Sequence, residues 1–143
     1  MVTAPGRYDY AELIAALWTL GAAGSRMPTS HGILDAALRS VVGRADFPSQ
    51  FRDGLTFGVT SVGLRCFELP DILLAAQETH ITTEPNPTYL TTEVTLDNDS
   101  ARQIVVGAGL TTRSASELGR ALKDAVQELQ KGLASESDRM VAA

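Results

Sequence analysis

Apolar positions recur at helical spacing in some stretches of the chain and alternate with polar ones in others. Tyr10, Leu13, Ile14, Leu17 and Trp18 share one face of a first helix. Asp9, with Glu12 three residues on, is the expected N-cap, and Gly21 and Gly24 the expected end. Ile33, Leu34, Ala37, Leu38, Val41 and Val42 stripe a second helix, capped by Thr29 or Ser30 and stopped by Gly43. Pro48 opens a short helix through Phe51. Leu55, Phe57 and Val59 then alternate, and Val62, Leu64 and Cys66 alternate on the opposite parity. Two short strands joined around Thr60–Ser61 account for that switch. Pro70 would break a helix begun at Val62, so the next helix is expected to start at Leu69–Pro70 and end near Thr79.

Beyond it, His80–Glu84 reads as a strand and Glu84–Pro87 as a turn. Tyr89–Leu96 is a second strand, with Leu90, Thr92, Val94 and Leu96 on one face. Asp97-Asn98-Asp99-Ser100 reads as another turn. The β-branched run around Ile104, Val105 and Val106 predicts a strand over Arg102–Gly107. Ser114 and Glu117 form a capping box for a last helix striped by Leu118, Leu122, Ala125, Val126, Leu129 and Leu133, with Gly132 at its end. The fold class expected is α+β, about four helices with a small antiparallel sheet. Residues 1–8 are expected to be disordered, 9–133 to form one domain and 134–143 a flexible tail.

Bulk composition changes this picture little. The 143 residues fit one domain, and 44% hydrophobic with 20% charged residues is a globular balance. No apolar run reaches the roughly 20 residues that span a bilayer. Asp9 and Glu12 interrupt the first apolar helix, which argues against a signal peptide. Cys66 is the single cysteine, so no internal disulfide forms. A reducing, cytoplasmic compartment is the expectation. The preference for Arg and Ala over Lys suggests a GC-rich, bacterial source.

Charge is uneven. Residues 1–67 carry five acids and six arginines, and residues 68–143 carry twelve acids and six bases, for an overall −5. An acidic chain disfavours non-specific nucleic-acid binding, which needs cations to displace counterions. Arg39, Arg44, Arg52 and Arg65 are the candidates for a local phosphate or DNA contact, with Arg26 near them in the same half.

The residues give no catalytic, metal or cofactor set. His31 and His80 lack partners at ligand spacing. Cys66 lies in an alternating apolar pattern, as a buried small hydrophobe does. Glu68 and Asp71 suit a helix first turn as well as an acid pair. Gly107-Ala108-Gly109 lacks the remainder of either phosphate-loop pattern. Asp97-Asn98-Asp99 lacks the glycine and the terminal glutamate of a calcium loop.

The helix from Pro70, the switch into Thr79-His80-Ile81, the Glu84–Pro87 turn and the strand Tyr89–Leu96 resemble the last helix and wing of a winged helix-turn-helix domain. The run Phe51 to Ser61, with Phe57-Gly58, is similar to small winged-helix proteins of the Panacea antitoxin-like kind. The resemblance covers roughly residues 9–96 and implies DNA binding through the Pro70–Thr79 helix. That helix carries Asp71, Gln77 and Glu78 but no Arg or Lys, whereas base reading favours basic or amide side chains. A protein-binding copy of the fold fits this composition.

Three function classes remain open at this point. The first is a noncatalytic protein-interaction module, a regulatory or accessory subunit that self-associates through Leu118, Leu122, Val126 and Leu129 or binds a partner. The second is a DNA-binding winged-helix regulator, and the third a small enzyme with an unrecognised acid/base site.

Overall fold

The computed structural model describes residues 5–22, 26–28, 32–61, 63–83 and 91–142, with side chains in the last helix described as far as Gly132. Mixed helix and antiparallel sheet is observed, in the order α1 (Arg7–Gly21), β1 (Met27–Pro28), α2 (Ile33–Val42), α3 (Ser49–Arg52), β2 (Phe57–Thr60), β3 (Gly63–Cys66), α4 (Leu69–Glu78), β4 (Thr91–Thr92), α5 (Asn98–Gly107) and α6 (Thr112–Ala142). The described residues thus hold six helices rather than about four.

Helix α1 is the axis of the molecule. It packs against α4, α5 and α6. An apolar stripe would need only one such neighbour. Here Tyr10, Ala11 and every residue from Leu13 to Trp18 are buried, so the helix is covered on nearly all sides. Its N-cap is Gly6, not Asp9. Asp9 stands at the third helical position, where its carboxylate accepts the Gly6 N–H at 2.8 Å. This is the acidic half of a capping box without the hydroxyl half.

Two glycines let α6 approach α1. A Cβ on Gly119 would lie 1.9 Å from the Leu17 carbonyl oxygen, and one on Gly21 would lie 2.2 Å from the Arg120 nitrogen. The backbones touch, and glycine alone leaves room for that contact. Around this crossing Leu13, Leu17, Trp18, Ala115, Leu118 and Leu122 are at most 2% exposed. Each buried leucine stabilises the fold by roughly 1.5–3 kcal/mol.

Helix α2 packs on α6 and β3. Its N-cap is Gly32, at φ 68°, a left-handed conformation that glycine adopts without strain. Thr29 and Ser30, the expected caps, lie outside the described residues. Gly43 ends the helix as expected. Arg52 then ties down the turn that follows. Its guanidinium donates to the carbonyls of Val42 at 2.9 Å, Arg44 at 2.7 Å and Phe47 at 3.3 Å. Tyr10 meets Phe51 edge-on at 5.1 Å between centroids and donates its hydroxyl to the Phe51 carbonyl at 2.8 Å.

The 47–67 stretch matches its pattern. Pro48 caps the short α3, and β2 pairs with β3 antiparallel, Phe57 opposite Cys66 and Thr60 opposite Gly63. Helix α4 starts at Leu69 with Pro70 in its first turn. The second pairing region is shorter than expected. β1 pairs with β4, Met27 opposite Thr92, and Thr82 bridges Val94. Thr83 N–H donates to the Glu93 carbonyl at 2.9 Å and Thr95 N–H to that of Ile81 at 2.7 Å, so the two arms of the expected hairpin do run side by side. Its turn, Glu84–Pro87, lies outside the described residues.

The predicted strand over Arg102–Gly107 is wrong: these residues belong to α5. Asp97, read as part of a turn, is the N-cap and accepts the Ser100 N–H at 3.4 Å. Ala101 and Val105 are fully buried against α1, and Ile104 packs beside them. The last helix opens one turn earlier than expected, with Thr111 Oγ1 accepting the Ser114 N–H at 3.1 Å. Glu117 pairs instead with Arg113 at 3.5 Å. Gly132 does not end the helix, which continues to Ala142. Among the described residues no helix is long and apolar enough to cross a membrane.

Candidate functional site

The apolar stripe of α6 turns inward. Leu118 and Leu122 are fully buried, Val126 is 3% exposed, and Leu129 packs against the same core. Leu118, Leu122 and Val126 are covered by their own chain, which corrects the expectation that they form a self-association face, and Leu129 is half-buried beside them. The stripe is long because α6 packs on both α1 and α2.

The four candidate arginines do not form one cationic face. Arg52 is spent on carbonyls, as described above. Arg44 pairs with Asp46 at 3.2 Å. Arg65 faces Asp35 at 3.7 Å. Arg39 is exposed near the end of α2 and makes no ion pair among the described residues. Arg26 pairs with Glu93 at 3.8 Å.

The chemistry-bearing residues gather instead where α2, the β2–β3 hairpin and the start of α4 meet. Asp35, in the first turn of α2, is 8% exposed. Its Oδ1 accepts the Cys66 N–H at 2.7 Å, which closes the outer edge of β3 against α2. Its Oδ2 faces the guanidinium of Arg65, which lies across Gly32 at the helix start, 2.9 Å from where a Cβ there would stand. A buried carboxylate costs several kcal/mol in solvation unless charge and hydrogen bonds compensate it. Here Arg65, the Cys66 amide and the N-terminal end of α2 all do so.

Above this pair lies a pocket of about 490 Å³. Its polar lining residues are Asp35, Arg65, Thr60 and Ser61, and its apolar ones Phe67, Leu69, Pro70 and Leu73, together with Cys66. Phe67 is 55% exposed, and its ring covers Gly58, where a Cβ would lie 2.8 Å from the ring edge. Val59 at 84% and Leu74 at 48% add further bare apolar surface on the same hairpin and helix. A second pocket, of about 420 Å³, lies between α1 and α5 and includes Asp9 and Glu12. There Asp9 is already engaged by the Gly6 amide.

Cys66 is no nucleophile at neutral pH. Burial pushes its thiol up to about 11, so it stays protonated. Its Sγ lies 3.8 Å from Glu68 Oε1, a carboxylate that also accepts the Thr56 N–H at 2.6 Å. His80 sits exposed at φ 60° after α4, and His31 lies outside the described residues. Among the described residues no three His, Cys, Asp or Glu side chains cluster as a metal site. Comparison with protein-family models, with curated proteins and with solved structures finds no match to the chain.

Sequence reasoning did not single out Asp35. The available signal was an acid inside the apolar stripe of α2, between Leu34 and Ala37. First-turn acids also complement the helix dipole, and that ordinary role concealed it.

Proposed function

We propose that the protein is a noncatalytic interaction module, a regulatory or accessory subunit whose contact surface is the end formed by the β2–β3 hairpin and the start of α4. The observation that carries this reading is the 490 Å³ pocket lined by Phe67, an apolar side chain 55% exposed, together with Leu69, Pro70 and Leu73. A concavity with an exposed aromatic wall is the kind of surface that takes a partner or ligand. The same end carries the buried Asp35, paired with the half-buried Arg65, which holds the hairpin in place against α2.

The DNA-binding winged-helix reading has less support. Arg52 and Arg65 are engaged with groups of their own chain, Arg44 pairs at the surface with Asp46, and the exposed side of α4 offers Asp71 and Glu78. The enzyme reading would need an activated nucleophile or a facing acid pair, and Cys66 is protonated at neutral pH.

The test is site-specific photocrosslinking in cells. A photoreactive residue at Phe67 should give a discrete adduct, with a second copy or with another protein, and the same residue at the exposed Arg113 should not. Absence of any adduct at Phe67, together with a monomer at all concentrations by sedimentation, would refute the reading.

A further inference from the structure

We propose that the pocket between the β2–β3 hairpin and the start of α4 binds a small free carboxylic acid with a flat or bulky apolar body. The inference builds on the choice of this end as the binding surface, but it needs no partner protein. Three observations set the chemistry.

The first is the make-up of the lining. Phe67, Leu69 and Leu73 give the pocket apolar lining, and Arg65, with Thr60 and Ser61, gives it polar lining. A pocket of about 490 Å³ with a few convergent polar groups suits a small ligand.

The second is the arrangement of charge. Asp35 lies deeper, with its side chain 12% exposed, and Arg65 lies outside it at 31%. Their separation of 3.7 Å is too long for a good hydrogen bond. A ligand therefore meets the guanidinium first, with its donors available and its inner side steadied by Asp35. A guanidinium fork matches a carboxylate in shape and charge.

The third argues against a peptide added as a strand on β3. Pairing along β3 is blocked, because the Cys66 N–H on its outer edge is already bonded to Asp35. A chain could not add there as a strand.

The experiment is an amide chemical-shift titration of the whole protein with naphthalene-2-carboxylate and, separately, with the uncharged naphthalene-2-carboxamide. The acid should shift amides within Gly58–Leu73 and bind about tenfold more tightly than the amide. Phe67→Ser, at an exposed position, should weaken both ligands several-fold. Asp35→Asn combined with Arg65→Gln should abolish the preference for the acid. Equal affinity for acid and amide, shifts centred elsewhere, or no shift at millimolar ligand would overturn the proposal. Tighter binding of a short peptide ending in free Phe than of the naphthoate would also overturn it, and would assign the pocket to a polypeptide C-terminus. A crosslinked partner at Phe67 with no acid binding would leave the interaction module standing and remove the acid site alone.

Discussion

Gly119→Ala is a one-methyl change with a large expected effect. The new Cβ would stand 1.9 Å from the Leu17 carbonyl oxygen and 2.8 Å from its carbon, whereas real Cβ contacts stay beyond 3.0 Å. The obstacle is backbone, so no side chain can swing away. The helices α1 and α6 must part by the difference, 3.0 − 1.9, or about 1.1 Å. A gap of about 1 Å forfeits between a quarter and a half of the dispersion attraction across it. Leu13, Leu17, Leu118 and Leu122 lie at this contact, and each contributes roughly 1.5–3 kcal/mol by burial. Losing about a third of that costs roughly 3 kcal/mol. Replacing a mid-helix glycine by alanine returns up to about 1 kcal/mol. The net loss should be about 2 kcal/mol, a fall in Tm of about 4–8 °C for a chain of this size. Gly132→Ala is the control, because nothing lies within 4 Å of that Cβ in the same helix. It should be neutral or stabilising by up to about 1 kcal/mol. Urea unfolding followed by circular dichroism measures both variants. If Gly119→Ala matched the wild-type midpoint, or moved with Gly132→Ala, the close helix crossing would be wrong.

Other residues give further tests. Arg52→Met keeps much of the side-chain length but removes donors to three carbonyls, and should cost about 2 kcal/mol in urea unfolding with little salt dependence. Asp35→Ala leaves the Cys66 N–H without its acceptor; about 2–3 kcal/mol should be lost, with faster hydrogen exchange at that amide, and Asp35→Asn should recover part of it. The Cys66 thiol, pushed up to about 11 by burial, should react with iodoacetamide at pH 8 at least about a hundredfold more slowly than free cysteine. The same shift sets a pH dependence. The unfolded thiol ionises near 9.0 and the folded one near 11, so the folded state binds its proton more tightly. Stability is complete below pH 9 and falls as pH rises toward 11, by at most about 1.4 kcal/mol per unit. Cys66→Ala should remove that part of the slope.

Legibility followed whether a local signal had one meaning. The parity switch between Val59 and Val62 and the position of Pro70 each admit few structures, and β2, β3 and α4 fall where they predict. Asp97-Asn98-Asp99-Ser100 has two meanings, because the same short polar side chains build hairpin turns and helix N-caps. The run Ile104-Val105-Val106 then biased the choice toward strand, although Ala101, Ile104, Val105 and Ala108 already keep helical spacing. Packing against α1 overrides the β propensity there. The site was less legible than the fold. Asp35, Arg65 and Phe67 come together only through the docking of a hairpin on two helices, and spacing along the chain carries no trace of it. The inward turn of Leu118, Leu122 and Val126 was hidden for a related reason: a stripe shows that a face is covered, not by what.

The crossing of α1 and α6 also sets the timing of assembly. Leu17 and Gly119 touch, yet about a hundred residues separate them. During synthesis at roughly 5–20 residues per second, Leu17 and Trp18 wait several seconds for the helix that covers them. The β2–β3 hairpin and α4 can form in that interval, but the centre stays open. A nascent chain halted before Leu118 leaves the α6-facing side of α1 uncovered, and chaperones bind such apolar surfaces. The last cooperative step is therefore the arrival of the C-terminal helix.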